Sequence, residues 1–514
     1  TADGFYAVES DAAGVPEGMV GTFFWVTPGR FSAYGKYVCH PLDGDGLALA
    51  ITFDAEGRVF VRHRLVQTQG LLRDDTLEAT CSNGVHGTPG QGWGPLNLRN
   101  GIKNPANANV CFYEDRLLAT WPYGSPYNLD PGSLATLIGA DDAGSTDLGG
   151  LLLPGKPLST FGPRPKLDPK GTITSYGVKP DLLGTRVNIY EARESWRSRY
   201  PKTAPRSVGL PGYSWVTDSA STPRWAVFAV PPCKADAFAA AQGKHPAQVL
   251  SWDEGASGAL VFATRAKEGA KEATVKLDGR AVESIANAFE AEGDSGRVTV
   301  DAAAADGWVL APQAPEGASP ERPFWEVLSP DSAPRAQLVR YEVDLQAETF
   351  TKKVLLDRHV VSPCVDPSRA GSASRYVFCG VAHGEGPGPT GGACRVDAAT
   401  GAADVWVASP TEFCSAPTFV PKPGAAAEGE GYLLTLVLDG AAGRSDVVVL
   451  DAQDVAKGPV CRFALRDAMP HSLGGATWAP GLAFTEEELQ RKVTLRNLFE
   501  KKSKEWNEMN TSAS

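Results

Sequence analysis

The chain has 514 residues, 42% hydrophobic and 21% charged, with a net charge of −11. That composition supports a sizeable core and excludes wholesale disorder. The acidic balance, with no Lys/Arg run before the C-terminus, argues against a nucleic-acid partner. No apolar run reaches the roughly 18–20 residues that cross a bilayer as a helix.

Glycine (55) and proline (39) are abundant, which favours many short strands and turns over long helices. In chain order, GLALAITFD (46–54) and RVFVRHRLV (58–66) alternate about a turn at Glu56-Gly57, and NVCFY (109–113) and RLLATW (116–121) about Glu114-Asp115. RWAVFAV (224–230), GALVFATR (258–265), RYVFCGV (375–381), YLLTLVL (432–438) and DVVVLDA (446–452) continue the pattern. Period-2 alternation at short spacing, broken by turn residues, is the signature of sheet. Val343-Asp344, Val396-Asp397 and Leu450-Asp451 each end a strand at a turn, 53 and 54 residues apart, and Pro363, Pro417 and Pro470 follow them at 19, 20 and 19 residues. A repeat of about 50 residues built of four short strands is a propeller blade. Seven blades need about 350 residues, so the surplus is expected in inserted loops and helices, within 140–215 and 233–256.

The end of the chain differs. Thr485 followed by Glu488 forms a capping box opening TEEELQRKVTLRNLFEKKSKEWNEMN (485–510). Leu489, Val493, Leu495, Leu498, Phe499 and Trp506 give it an amphipathic stripe. It reads either as a helix folded back on its own domain or as a docking helix for a partner. In the docking reading Leu489, Val493, Leu498, Phe499 and Trp506 carry the contact. The nine cysteines are scattered with no C-x-x-C, which points to reduced thiols. The first residue is threonine, as expected of a processed chain.

The motifs HPLDGDG (40–46), RLVQTQG (64–70), NANVCFYEDRLLATW (107–121) with PYNLDPGSLAT (126–136), PKLDPKG (165–171), NAFEAEGDSGRVTVD (287–301) and PTFVPKP through VVVLDA (417–452) occur in this order. Together they resemble the carotenoid cleavage oxygenase family, from about Gly21 to Trp478. The resemblance implies an all-β fold: a seven-bladed propeller over 1–480 with a helical and loop dome on one face, and a C-terminal helical extension over 481–514. It also implies an axial iron held by four histidines whose imidazoles three glutamates orient.

This sequence departs from that site at each position. Where the motifs place the histidines stand Arg164, Gly212, Ser284 and Gly474, and where they place the glutamates stand Pro122, Val361 and Ala416. A guanidinium stays protonated and cannot ligate a metal, so Arg164 reads as a fixed charge in the vacated position or as a side chain turned to solvent. His40 and His383 read as structural and loop residues, and His471 lies three residues from Gly474.

From these departures no iron is expected, and the chain reads as a non-catalytic relative. The expected role is a structural or carotenoid-binding subunit, with a carotenoid in a pocket at Arg164 and Tyr213. GTFFW (21–25) and the C-terminal stripe would be its contact surfaces. The expected address is a plastid, peripheral to thylakoids, beside a membrane pigment-protein complex such as a photosystem or its antenna. The alternative is a metal-independent isomerase or tautomerase on carotenoids, with acid and base drawn from Arg164, Tyr213, Asp218 and Glu412.

Overall fold

The computed structural model describes residues 3–8, 14–90, 102–137, 160–181, 184–192, 206–210, 212, 214–236, 238–239, 246–266, 269–311, 313–329, 334–471 and 475–490. Within them, seven antiparallel sheets follow one another along the chain.

Blade 1 holds Asp3–Val8, Gly21–Arg30, Asp45–Phe53 and Val59–Leu65, and the chain's last strand, Ala476–Pro480, joins it. Blade 2 is Asn109–Tyr113, Arg116–Thr120 and Tyr127–Leu129; blade 3 is Lys166–Leu167, Ile173–Asp181, Gly184–Ala192 and Arg206–Leu210. Blade 4 is Ser219–Ser221, Trp225–Val230, Ala259–Thr264 and Glu272–Lys276; blade 5 is Ala281–Ala291, Asp294–Ala305, Gln337–Asp344 and Thr349–Leu356. Blade 6 is Val360–Cys364, Tyr376–Ala382, Thr390–Asp397 and Ala403–Val407. In blade 7, Glu412–Cys414 and Thr418–Pro421 both pair with Gly431–Asp439, and Arg444–Asp451 and Pro459–Ala464 follow. This is the expected seven-bladed propeller.

The repeat seen in the sequence marks one turn of blades 5, 6 and 7. Asp344, Asp397 and Asp451 each end a strand, and each carboxylate accepts backbone N–H groups of the turn that follows: Gln346 and Ala347, Ala399 and Thr400, and Gln453. An aspartate folding back on its own backbone is a local device, so it recurs wherever the blade recurs.

Each large core cluster joins two neighbouring sheets. Val227 and Phe262 of blade 4 meet Val300 and Tyr341 of blade 5; Leu49 and Ile51 of blade 1 meet Leu434 and Phe463 of blade 7. Sheets packed face to face bury alternate residues of every strand, which is why these strands read as alternating. GTFFW, expected at a contact surface, belongs here instead: Phe23, Phe24 and Trp25 are fully buried. Both faces of Gly21–Arg30 are covered by neighbouring blades, Phe23 and Trp25 packing with blade 7 and Phe24 with blade 2.

The ring closes through the chain's two ends. Gly21 pairs with Pro480 and Trp25 with Ala476. Gly475 makes the approach possible, with φ of +102° and a position where a Cβ would lie 2.4 Å from the Val26 carbonyl oxygen. Only glycine tolerates both.

The stretch 140–215 was expected to be an insertion, but it contains blade 3. Its two long strands carry Gly, Pro, Lys and Arg among their apolar residues, and these interrupt the alternation. The stretch 233–256 is an insertion as expected, a hairpin of Cys233–Ala235 with Leu250–Trp252 and the short helix Pro246–Val249.

Insertions interlock over one face. The helix Gln69–Leu77 is capped by Thr68. Tyr37 packs on Trp325, Phe31 on Phe324 and Trp252 on Trp308. The DGDG motif pins this dome: the Asp43 carboxylate accepts the backbone N–H of His86 and of Thr88 and the Thr88 hydroxyl, while Asp45 pairs with Arg30 and Lys103.

The capping box forms, with the Thr485 N–H donating to Glu488 at 2.9 Å and the Glu488 N–H donating to the Thr485 hydroxyl at 3.3 Å. Leu489 is 1% exposed, and its carbonyl accepts from buried Arg62 at 3.1 Å. This first turn therefore folds back on the propeller. Val493, Leu498, Phe499 and Trp506 lie outside the described residues.

Candidate functional site

The innermost strands of blades 3 to 6 bring one polar cluster together. Arg164 and Lys166 open blade 3, Asp218 immediately precedes the first strand of blade 4, Glu283 and Ser284 lie on the first strand of blade 5, and Ser362 lies on the first strand of blade 6. The Arg164 guanidinium donates to the Ser362 hydroxyl at 3.2 Å. Ser362 is three blades further round, so the side chain crosses the centre of the ring. Another of its nitrogens lies 3.8 Å from Asp218, and the side chain stays 31% exposed against 1% for Asp218. The fixed-charge reading of Arg164 is the one the geometry carries.

Asp218 is already satisfied without Arg164. One carboxylate oxygen accepts the Ser219 N–H at 2.8 Å; the other accepts the Ile285 N–H at 2.8 Å and the Lys166 ammonium at 3.3 Å. Lys166 also donates to the Ile285 carbonyl at 3.3 Å. Asp218 and Lys166 thus tie blades 3, 4 and 5 together.

Two β-bulges aim the rest of the cluster. In blade 5 the register shifts between Val282 and Ser284, so Glu283 is the extra residue; in blade 6 it shifts between Val361 and Cys364, which frees Ser362 from the regular ladder. A bulge re-aims a side chain that strict alternation would place elsewhere. Ser362 takes a φ of +43°, a costly conformation for a residue with a Cβ. Glu283 Oε1 is sealed from solvent with no hydrogen-bond partner among the described residues. Burial pushes its carboxyl up to about 7, opposed by the Val309 N–H and by the Arg164 charge.

An aromatic wall adjoins the cluster. Tyr176 is buried, feels the charges of Asp218 and Arg164, and has its hydroxyl pushed well above the ordinary range, chiefly by burial. Tyr123 lies within electrostatic range of Tyr176. Tyr123 packs on Trp121 at 4.9 Å, on Trp215 at 4.5 Å and on His86 at 6.0 Å, and His86 stacks on His40 at 4.8 Å. His40 bonds the Ala311 carbonyl, two residues from Val309, which reaches Glu283. Trp121, Trp215, Tyr123, His86 and His40 thus form one packed aromatic cluster.

The other expected positions lie as follows. Gly212 sits at the outer end of blade 3, where its carbonyl accepts the Thr185 N–H at 3.0 Å; Thr217 and Asp218 are the residues that reach the innermost strand. Val361 and Ala416 pack around Gly380, and Pro122 follows the buried Trp121. Ser284 is buried on its strand. Glu412 pairs with Arg462 and accepts the Ser409 N–H. His383 bonds the Glu412 carbonyl and His471 the Cys414 carbonyl. Gly474 and Tyr213 lie outside the described residues. Glu283, Ser362 and Tyr176 escaped the sequence reading, because a bulge leaves no periodic trace and a buried tyrosine in a strand reads as core.

A four-imidazole iron site does not fit the residues at these positions. Arg164 is a permanent cation, Gly212 has no side chain, and Ser284 offers a neutral hydroxyl. Among the described residues no three histidine, cysteine, aspartate or glutamate side chains are grouped to hold a metal.

The buried imidazoles make a pH prediction. His40 accepts the Leu42 N–H on Nδ1 and bonds the Ala311 carbonyl through Nε2, so it is held neutral, and burial pushes it down to about 3. His63, His359 and His471 are lowered too, chiefly by burial. A group whose folded pKa lies below its unfolded value of about 6.5 contributes fully above that pH and loses the contribution as pH falls. In Glu283→Gln, which removes the raised carboxyl whose protonation opposes the trend, urea unfolding at pH 5 is expected to show a stability about 2 kcal/mol or more below that at pH 7, from His40 alone. A flat profile would mean that these rings are not neutral and buried.

Comparison with known proteins places this arrangement. The profile of the family described as RPE65, Retinal pigment epithelial membrane protein, matches residues 8–480. Apocarotenoid-15,15'-oxygenase of Synechocystis is 30% identical over 92% of this chain and 93% of its own length. Isoeugenol monooxygenase of Pseudomonas nitroreducens is 26% identical over 91% of this chain and 93% of its own length. The crystal structure of cobalt-substituted Synechocystis apocarotenoid oxygenase superposes with a TM-score of 0.80 at 27% identity, covering 93% of this chain and 96% of that one.

These relatives correct three expectations. They are oxygenases across nearly their whole length, so missing histidines do not license reading the chain as a non-catalytic photosystem or antenna subunit. The metal-independent isomerase alternative finds no support among them either. One of them is solved with cobalt substituted into it, so the expectation that no iron is bound does not stand on the departures alone.

Proposed function

Because the chain belongs to the family of the Retinal pigment epithelial membrane protein, we propose that it is an enzyme of oxygenase type. Its substrate is an elongated molecule with a conjugated carbon–carbon double bond, bound beneath the dome. One observation supports the reading: Trp121, Trp215 and His86 pack on Tyr123 and His40 stacks on His86, one aromatic cluster within electrostatic range of Tyr176, which feels the Arg164 charge. The relatives act at the same end of the class, one on an apocarotenoid and one on isoeugenol, by name.

The residues of this chain bind and orient. Aromatic faces stack on a conjugated system in offset or edge geometry and contribute about 0.5–1.5 kcal/mol per pair beyond area burial. Burying the substrate under the dome excludes water, which strengthens each polar contact made by Arg164. The guanidinium is held by Ser362, so its charge is aimed before a ligand arrives.

The test is turnover. Purified protein in air, assayed with and without added metal ions, is expected to take up O₂ and release aldehyde from a β-apocarotenal or from isoeugenol, followed by chromatography. Binding of both compounds without product would overturn the oxygenase reading. Trp215→Ala is expected to raise KM about tenfold with a smaller change in kcat, because Trp215 packs on Tyr123 and is only half-buried, so the change removes stacking surface present before and during reaction. An unchanged KM would place the substrate elsewhere.

A further inference from the structure

We propose that Cys379 and Cys394 are a covalent cross-linking site in the core of blade 6, joined as a disulfide when the chain folds in the presence of a low-molecular-weight disulfide. The site is separate from the axial cluster and does not depend on the class of substrate bound beneath the dome.

Three observations carry it. First, the two residues face each other. Cys379 on Tyr376–Ala382 is the register partner of Cys394 on Thr390–Asp397, and their sulfurs lie 3.1 Å apart. Directly opposed residues of an antiparallel pair have Cα atoms about 4.5–5.5 Å apart, inside the range of about 4.4–6.8 Å that disulfides span. The bond itself is about 2.0 Å long, so about 1 Å of side-chain movement brings the sulfurs together. Second, the pairing is selective. The other strand cysteines, Cys111, Cys233, Cys364, Cys414 and Cys461, face Leu118, Trp252, Phe378, Val437 and Val449. Among the described residues no other two cysteines oppose each other across a strand pair. Third, the pair is sheltered once the blade has formed. Both residues are fully buried and belong to one core cluster with Val377, Val381 and Val396. The adjacent Cys394 sulfur, together with burial, holds the Cys379 thiol well above its usual range. The thiolate is the species that exchanges, so the folded chain reacts slowly and the folding chain readily.

The step is thiol–disulfide exchange. One cysteine of the pair loses its proton and attacks a sulfur of the small disulfide, which forms a mixed disulfide and releases one small thiol. The second cysteine loses its proton and attacks the sulfur of the first, which releases the other small thiol. Two cysteine thiols are oxidised to one disulfide, and the small disulfide is reduced to two thiols. The bond lies behind the axial cluster. Val361 pairs with Gly380 and Cys364 with Phe378, so Cys379 stands opposite the bulge that contains Ser362. It therefore fixes the strand against which the residue holding Arg164 is built.

The experiment is a disulfide map of the full chain, made by cell-free translation once with oxidised and once with reduced glutathione. Free thiols are blocked, the chain is digested without reductant, and the peptides are identified by mass. The product made with oxidised glutathione is expected to yield a peptide joining Cys379 to Cys394, and the product made with reduced glutathione to yield none. Cys394→Ala made with oxidised glutathione is expected to lack the joined peptide and to leave Cys379 without a partner within the chain. A second measurement starts from the reduced, folded chain. Incubated with oxidised glutathione, it is expected to form the same bond at least about tenfold more slowly than in urea that unfolds it, because the buried thiol is rarely ionised. Absence of the joined peptide from both the translated and the incubated chain overturns the proposal. So does a map in which Cys379 or Cys394 joins other cysteines instead, or equal rates with and without urea.

Discussion

Asp218→Ala is expected to cost about 3–5 kcal/mol of stability, the penalty for removing one partner of a buried ion pair. Asp218 is 1% exposed and joins three blades at once through Ser219, Ile285 and Lys166. Its loss leaves the Ile285 N–H without its acceptor and the Lys166 ammonium beside Arg164 with no intervening anion. Two neighbouring cations at the mouth of the axis then repel one another. Chemical denaturation followed by circular dichroism measures the effect. Asp218→Asn, which keeps the shape and one acceptor oxygen, should recover part of the loss but not the ion pair. A change below about 1 kcal/mol for the alanine variant would mean that solvent reaches the cluster and screens it.

Ending the chain at Gly475 is expected to abolish cooperative unfolding altogether. The strand Ala476–Pro480 completes blade 1, and Trp478 packs against Phe53, which in turn meets Phe463 of blade 7. Without it the strand Gly21–Arg30 presents an unpaired edge and the interface between the first and last blades opens. Exposed edges of this kind pair with other chains, and total stabilities of about 5–15 kcal/mol leave little reserve. The shortened chain should bind a hydrophobic dye and aggregate on heating. A sharp thermal transition near that of the parent would show that the ring holds without its closing strand.

Much of the architecture is legible because it is local. An aspartate that caps its own turn announces itself at every repeat, so Asp344, Asp397 and Asp451 expose the period in the order of residues alone. Alternation marks strands that bury one face, and it fails for Ile173–Asp181 and Gly184–Ala192, where Gly, Pro and charged residues interrupt it. The capping box at Thr485 is likewise a matter of four neighbouring residues.

The site is legible only in part. The residue types at the motif positions are plain in the chain, so the absence of imidazole at 164, 212 and 284 needs no coordinates. What those residues do in place of imidazoles does. Gly212 aligns by motif, yet it turns the chain at the outer end of blade 3, while Asp218 reaches the centre. GTFFW reads as an apolar surface, yet the blades on either side bury both its faces.

The sequence by itself determined the all-β class, the repeat and the family resemblance. Those follow from short-range order, in turn chemistry, alternation and motif spacing. Only the tertiary structure decided that Arg164 crosses the axis to Ser362, that Lys166 hydrogen-bonds Asp218 while Arg164 stands 3.8 Å from it, and that Glu283 is left with an orphan oxygen. Each of these joins residues from different blades, tens to nearly two hundred positions apart. Two bulges set their aim, and a bulge depends on the register of the partner strand. Register across a sheet is a property of two strands at once, so a single stretch of sequence does not contain it.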